Sequence, residues 1–520
     1  MTLFLERCSK QGVRLDELTD SVTSLAIQGE GGGQVVEGIT CDSRAVVQGS
    51  LFVAVRGYST DGHHYISSAV ERGAVAVICE EFPDQIDASC CYIKVAEARK
   101  ALAEASKVVY GNSADRLIII GVTGTNGKTT TAKLITAMLN MSNIPAGYIG
   151  TNLCRIGDRD IALDRTTPEA HELHALFGLM EDAGCRAAVM EVSSHALVLQ
   201  RVYGIWFHAA LFTNLTMEHL DFHGTMEEYA SAKQQMFRQL APDGFAVFNS
   251  DDPFSAQLSL PVVAEKRYLC TIQSALPPQS RCGHHFGAHI LKSSLDSTTV
   301  KLHFPAKVIL MEVKLPGEFN VMNVLEAAAL GTGMALQPEQ ICQSLSAISA
   351  VDGRMERVGD GSERYSVFVD YAHTPDALLK VLVTLRFLKQ EGSRLVVVFG
   401  CGGNRDRSKR SEMGRIASEL ADVVFLTSDN PRDENPETIL DEIETGMAGR
   451  EYRRISDRAE ALACAVAQLR EGDVLLVAGK GHERYQEIAG KKYPFSDQDI
   501  IKQSMKKNGA GVPAKEQMCQ

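Results

Sequence analysis

No uninterrupted apolar stretch in these 520 residues is long enough to cross a bilayer, which argues against a helical membrane span. Met1 to Lys10 carries two positive residues but neither a long apolar centre nor a small-residue cleavage pattern, so cytoplasmic residence is the expectation. Positive charge is also short. Lys and Arg number 53 against 65 Asp and Glu, a formal net charge of −12, and without a dominant basic field the nucleic-acid backbone is excluded as the main partner. Local cationic clusters can still take an anionic small molecule. Repeats and low-complexity tracts are missing, and only the polar tail from Lys506 to Gln520 is expected to be mobile. A disulfide framework is not expected either. The 13 cysteines are odd in number, scattered and mostly set in apolar runs such as Val75 to Cys79, which reads as buried reduced thiols. Cys90-Cys91 reads as structural. Cys282-Gly283-His284-His285 has the look of half a metal site, but with no second half nearby it reads as a polar loop.

What is present is length enough for two to four domains. Pattern divides the chain into three parts, residues 1–111, 112–350 and 351–520. The first alternates short strand-like runs (Leu51 to Val55, Ala74 to Cys79, Tyr92 to Val95) with turn signals, which suits a small α/β module. The second has strand-like runs at Leu117 to Val122, Ala187 to Val192, Ala209 to Phe212 and Phe245 to Asn249 with helical stretches between them, so a mostly parallel sheet flanked by helices is expected. The third repeats that order with Ser366 to Asp370, Leu395 to Gly400, Val423 to Thr427 and Val474 to Ala478, a doubly wound, Rossmann-like sheet. The fold class is therefore α/β in three domains.

The densest chemical signal is Thr123-Gly124-Thr125-Asn126-Gly127-Lys128-Thr129-Thr130, between an apolar strand and a helix with Leu134, Ile135, Met138 and Leu139 at its apolar positions. Glycines let backbone N–H groups curl around an anion, and the helix N-terminus adds a positive dipole end. Lys128 supplies a mobile cation and Thr129 a hydroxyl for Mg²⁺. The residue six before Lys128 is Val122, where the usual phosphate loop has glycine.

Polar residues gather at the ends of the neighbouring strands. Glu191-Val192-Ser193-Ser194-His195 follows one and Thr213 to His223 the next. A carboxylate beside a phosphate loop is where a Mg²⁺ ligand is needed, and His219 could serve a second metal. Taken alone, Lys233 reads as an exposed helix lysine, whereas Glu191 and His219 stand as site candidates ahead of the plainer readings of a solvated or capping carboxylate and a structural histidine.

The loop, with its missing leading glycine, resembles that of the Mur ligases of bacterial cell-wall synthesis and of their relative folylpolyglutamate synthase. Cys41-Asp42-Ser43-Arg44, Leu51 to Ala54 and Asp61-Gly62-His63 are similar to the uridine-nucleotide-binding first domain of the branch that adds the third amino acid. The resemblance extends through Thr166-Thr167-Pro168, Glu191 to His195, Glu218 to His223 and Tyr229 to Lys233. It continues with Asp370 to Pro375, Gly400 to Asp406, Asp429-Asn430-Pro431-Arg432 and Gly479 to Glu483, and so covers nearly the whole chain.

That resemblance implies an ATP-dependent ligase adding a diamino acid to UDP-MurNAc-L-Ala-D-Glu. ATP would phosphorylate the substrate carboxylate and the incoming amine would attack the acyl phosphate. It implies Gly124, Thr125, Asn126, Gly127, Lys128, Thr129 and Thr130 on the phosphates, Asn320 and Asn323 on the adenine side, and Arg354 and Asp370 across the hinge. Read as isolated residues, the two asparagines would be helix caps. Thr129 and Glu191 would hold one Mg²⁺ and His219 the second, with Lys233 carbamylated to help bind metal. Ser43, Tyr58, Ser59, Thr60, Thr166, Thr167, Ser193 and Arg201 would meet the sugar nucleotide. Leu199 stands where some members carry Gln two residues before that arginine, with Gln200 one place later.

The amino acid would be chosen by Arg405, Asp429, Asn430, Pro431, Arg432, Gly479 and Glu483. Members that take meso-diaminopimelate keep Asp-Asn-Pro-Arg, and here it is intact. A second carboxylate needs a fixed cation, whereas the ammonium of lysine would be repelled by one. Lysine addition remains the alternative within the family. A folate ligase should lack the Asp42 to Arg44 segment, and a regulator that only hydrolyses ATP should have lost His219, Lys233 or Arg432. A monomer that closes its last domain over the middle one is expected.

Overall fold

The computed structural model describes residues 12–29, 33–57, 60–273, 283–359, 361, 363–447 and 451–509. Tyr58, Ser59 and Cys282 lie outside these, as do Met1 to Lys10 and the end of the polar tail.

Three main sheets follow one another along the chain. The first has five strands in the spatial order Ser24–Gln28, Cys91–Val95, Ala74–Cys79, Ser50–Val53, Gly38–Thr40, parallel apart from its first edge. Its core extends onto Ala170 and Ala175 of the helix Ala170–Asp182, which seats this lobe on the middle of the molecule.

The central sheet has 11 strands. β1 (Ile118–Thr123) lies between β2 (Ala187–Glu191) and β3 (Phe207–Phe212), all parallel. Side chains along β1 alternate between two cores, Ile120 and Val122 on one face and Ile119 on the other, so both faces are buried and the strand reads as an unbroken apolar run. α1 (Lys128–Met141) and α3 (Glu318–Gly333) cover one face; α2 (Met226–Arg238) packs on the other.

Both ends of this sheet depart from the sequence reading. The hairpin Leu153–Ile156 and Arg159–Ala162 extends one end, and the antiparallel strands His284–Ser293, Thr298–Phe304 and Lys307–Val313 the other. These strands bury one face only. Val300, Leu302 and Phe304 alternate with more exposed neighbours, a weaker signal than a continuous apolar run. His284 and His285, expected in a polar loop, instead open a strand pairing with Arg267–Thr271. No group of three or more His, Cys, Asp or Glu able to hold a metal occurs among the described residues.

The last sheet has six strands. Its parallel part contains β4 (Ser366–Asp370), β5 (Leu395–Phe399), β6 (Val423–Leu426) and β7 (Val474–Ala478), in the spatial order β4, β7, β5, β6. Each ends in a turn on the same edge, as an open parallel sheet requires for its ligand crevice. No helix among the described residues is long and apolar enough to cross a membrane.

Candidate active site

β1 ends in the phosphate loop, and two of its glycines are obligatory. Gly124 has φ +148°, and a Cβ there would lie 1.9 Å from Thr213 Oγ1. Gly127 has φ +86° and would meet Asn323 Oδ1 at 2.7 Å. The strand after the loop braces it from the side. Asn126 N donates to Asn214 Oδ1 at 3.0 Å, and Thr213 Oγ1 donates to Asn126 O at 2.6 Å. Val122, in place of a leading glycine, is a buried residue of β1.

Register puts Glu191, the last residue of β2, beside Val122. Its Oε1 accepts from Thr129 Oγ1 at 2.9 Å, Tyr148 OH at 2.6 Å and Thr151 N at 3.1 Å, so a fully buried carboxylate is fixed against the loop hydroxyl. Arg354 Nη2, from the segment leading to the last domain, donates to Thr129 Oγ1 at 2.9 Å and lies over the Tyr371 ring.

Lys128 Nζ donates to Gly124 O at 2.9 Å and Thr125 O at 2.7 Å, folded back onto its own loop. Lys233 Nζ reaches the same Gly124 O at 2.9 Å and sits over the Tyr229 ring. It is 1 % exposed, which overturns its reading as a surface lysine; α2 turns it inward. Burial, then the charge of Lys128, push its pKa well below the ordinary lysine value. His219 follows the next strand with φ +58°, its ring edge-on to His195 at 4.8 Å. Burial, then Lys128 and Lys233, lower its pKa to about 4, so the imidazole is neutral and keeps a lone pair at neutral pH.

A cavity of about 470 Å³ runs from Asn126 and Gly127 to Asp370 and Lys380, between the central and last sheets. Asn320 and Asn323 line it from the first turns of α3. The helix cap is Gly317, so neither asparagine caps it. Asn126 Nδ2 crosses the cleft to Asp376 Oδ2 at 2.7 Å, and His482 Nε2 lies 3.1 Å from Thr151 O. The carboxyl edges of the two sheets thus face each other.

Beyond this cleft the last domain forms an ionic nest. Asn430 Nδ2 donates to Glu483 Oε2 at 2.7 Å, and Lys480 Nζ to Asn430 Oδ1 at 2.8 Å. Arg432, with φ +51°, donates to Gly403 O at 2.7 Å and Glu487 Oε2 at 3.1 Å. Arg405 stands close enough for desolvation and the Arg432 charge to lower its pKa, a pair of guanidiniums suited to an anion. Gly479, φ +113°, passes so near Asp429 Oδ2 that a Cβ would lie 2.4 Å away.

Three family profiles match the chain in order: "Mur ligase family, catalytic domain" over residues 35–115, "Mur ligase middle domain" over 122–331, and "Mur ligase, glutamate ligase domain" over 353–481. A protein of Chlorobium phaeobacteroides named UDP-N-acetylmuramoyl-L-alanyl-D-glutamate--2,6-diaminopimelate ligase is 57% identical over 507 residues, 96% of this chain and 99% of that one. This chain belongs to the Mur ligase family. A like-named protein of Chlorobaculum tepidum is 56% identical over 94% of this chain and 97% of its own. Among solved structures, one of a ligase with the same name is 31% identical with a TM-score of 0.67, covering 96% of this chain and 99% of that one. A MurF from Acinetobacter baumannii, 18% identical, covers 96% of this chain and 99% of its own at a TM-score of 0.65 and shares the fold.

Within this Mur ligase the residues expected at the sugar nucleotide fall in two groups. Thr166, Thr167, Ser193 and Arg201 cluster behind Glu191. Thr167 Oγ1 donates to Glu191 O at 2.9 Å and accepts from Ser193 N at 3.0 Å, while Arg201 binds Thr167 O at 3.1 Å and Glu169 at 2.8 Å. Thr166 Oγ1 lies 3.2 Å from Thr151 Oγ1. Ser43 and Thr60 belong to the first lobe, Ser43 in a short turn capped by Asp42 and Thr60 exposed. Leu199 caps a short helix, and Gln200 takes the left-handed turn at φ +57° before Arg201.

Sequence reasoning missed Tyr148, Thr151, Asp376, Lys480 and His482. Lys480 and His482 lay inside the quoted Gly479 to Glu483 motif and were legible as candidates, whereas Tyr148, on the strand Ala146–Gly150, and Thr151, just after it, acquire meaning only when that strand pairs with β2.

Proposed function

We propose that this ligase couples ATP hydrolysis to amide formation between meso-diaminopimelate and the D-glutamate carboxylate of UDP-N-acetylmuramoyl-L-alanyl-D-glutamate. This is the MurE reaction, running in the cytoplasm on a monomer. The observation that carries the reading is the Arg405 and Arg432 pair, brought together beside Gly402 in the last domain beyond the nucleotide cleft. The names of relatives similar over nearly the whole chain support it.

The loop amides and Lys128 bind the β- and γ-phosphates. For that, Lys128 leaves the Gly124 and Thr125 carbonyls, exchanging two neutral acceptors for a charged one. Thr129 and Glu191, a hydroxyl and a carboxylate in contact, are the hard oxygen donors that Mg²⁺ takes along with phosphate oxygens. Magnesium supplies neutralisation of charge on the transferred phosphoryl group. Lys233, whose pKa burial lowers towards the neutral amine, is competent to capture CO₂ as a carbamate, and His219 offers a neutral imidazole nearby. Arg201, with Thr166, Thr167 and Ser193, presents the UDP-substrate on the far side of Glu191, and Ser43, Tyr58, Ser59 and Thr60 hold its uridine end.

In the last domain Arg432 and Arg405 take the distal carboxylate of the acceptor while Glu483, Asp429 and Asn430 take its ammonium, which leaves the other amine to attack. Lysine brings an ammonium where the guanidiniums stand and is disfavoured by charge alone. An ATP-dependent phosphate-release assay with UDP-MurNAc-L-Ala-D-Glu tests the reading. Release is expected with diaminopimelate and little with lysine. Release that ignores the acceptor would instead identify a simple ATPase.

A further inference from the structure

Glu326 lies one turn beyond Asn323 on α3, lines the nucleotide cavity from beneath, and is fully buried. Its Oε1 has no hydrogen-bond partner, and its Oε2 lies 3.4 Å from Thr131 Oγ1. A carboxylate in such a place would be a desolvated charge facing one hydroxyl, so burial favours the neutral acid. Burial raises its pKa well above the ordinary glutamate value.

Thr131 Oγ1 also lies 3.3 Å from Asn323 Oδ1. A hydroxyl has one hydrogen and can donate to only one of these two neighbours. Asn323 Oδ1 is acceptor only, whereas a protonated Glu326 can donate. The arrangement that gives both Thr131 Oγ1 and Asn323 Oδ1 a donor runs from Glu326 O–H to Thr131 Oγ1, and from the Thr131 hydroxyl to Asn323 Oδ1. It continues from Asn323 Nδ2 to Asn320 Oδ1 at 3.1 Å and from Asn320 Nδ2 to Pro316 O at 2.8 Å. All four side chains are buried or nearly so.

We propose that Glu326 is a positioning residue for the nucleotide: as the terminal proton donor of this chain it fixes which way the Asn323 and Asn320 amides face the cavity. Were Glu326 an acceptor, Thr131 would turn towards it and Asn323 Oδ1 would lose its donor, leaving the amide held from one end only, through Asn320 and Pro316. Directional chains of this kind hold each member more firmly than isolated bonds do. The inference rests on the reading of this cavity as the ATP site.

Calorimetric titration of ADP into wild type, Glu326→Gln and Glu326→Leu separates the possibilities, with thermal melting to verify folding. The glutamine amide still donates to Thr131, so Glu326→Gln should bind ADP within about twofold of wild type. Glu326→Leu has no donor and should lose about tenfold, the scale of one broken bond that leaves a buried polar group unpaired. Should the leucine variant not fold, Thr131→Val cuts the chain at its middle link and Thr131→Ser restores it, with the same expected loss and rescue. A folded chain-breaking variant that binds ADP like wild type overturns the proposal. So does a glutamine variant as weak as the leucine one. Wild type that fails to bind ADP at all overturns the ATP-site reading, and this inference with it.

Discussion

Lys128 and Lys233 donate to one acceptor, the Gly124 carbonyl oxygen, each at 2.9 Å. Two ammonium groups on a single oxygen repel, and burial, then the Lys128 charge, lower the pKa of Lys233 well below the ordinary lysine value, which favours its neutral form. A neutral amine is the form that reacts with CO₂. Enzyme stripped of dissolved CO₂ should therefore lose activity and regain it with bicarbonate, while Lys233→Ala should fall about a hundredfold and gain nothing from bicarbonate. Wild type indifferent to bicarbonate would identify Lys233 as an unmodified lysine.

Glu191 takes three donors on one oxygen, Thr129, Tyr148 and the Thr151 amide. Glu191→Gln keeps an acceptor for them but removes the negative charge that a divalent cation requires. The Mg²⁺ concentration for half-maximal activity should rise about tenfold or more, with the melting temperature little changed. An unaltered Mg²⁺ requirement would remove Glu191 from the metal site.

How much of this site could be read in advance differs from residue to residue. Lys128, Thr129 and Glu191 were legible because parallel strands buried on both faces write themselves as apolar runs, and ligands collect where such runs stop. The burial of Lys233 was not, since a lysine on a helix shows its direction only once the helix has packed. Tyr148 and Thr151 were hidden for a related reason, as their partner Glu191 lies 40 or more residues away in the chain and meets them through sheet register. The half-exposed strands from His284 to Val313 were hidden because alternation over seven to ten residues is a faint pattern beside a solid run of Ile and Val.

His174 offers a handle on stability away from the chemistry. Burial, with a smaller push from Lys107, lowers it from 6.5 to about 3, and the residue is 2 % exposed. The unfolded chain accepts a proton that the folded chain refuses, so stability falls as pH drops below the ordinary histidine value and keeps falling to about 3. The loss from this group is about 4 kcal/mol over that window. Urea midpoints of wild type should drop more between about pH 7 and pH 4 than those of His174→Leu. Parallel curves would assign the acid sensitivity to other groups.

Arg432 is held in a left-handed backbone conformation at φ +51°, and its guanidinium is pinned by the Gly403 carbonyl and Glu487. A residue other than glycine or asparagine in that region carries strain, tolerated here where it aims a fork of donors beside Arg405. Arg432→Ala removes the fork and leaves Arg405 alone to meet the distal carboxylate. The KM for diaminopimelate should rise about a hundredfold, the worth of a bidentate charge-assisted pair, while the KM for ATP stays within about twofold. Arg432→Lys keeps a charge without the planar fork and should recover only part of the loss. Steady-state kinetics with each substrate varied in turn decide the matter, because a general loosening of the domain would raise both constants together, whereas a lost carboxylate contact raises one.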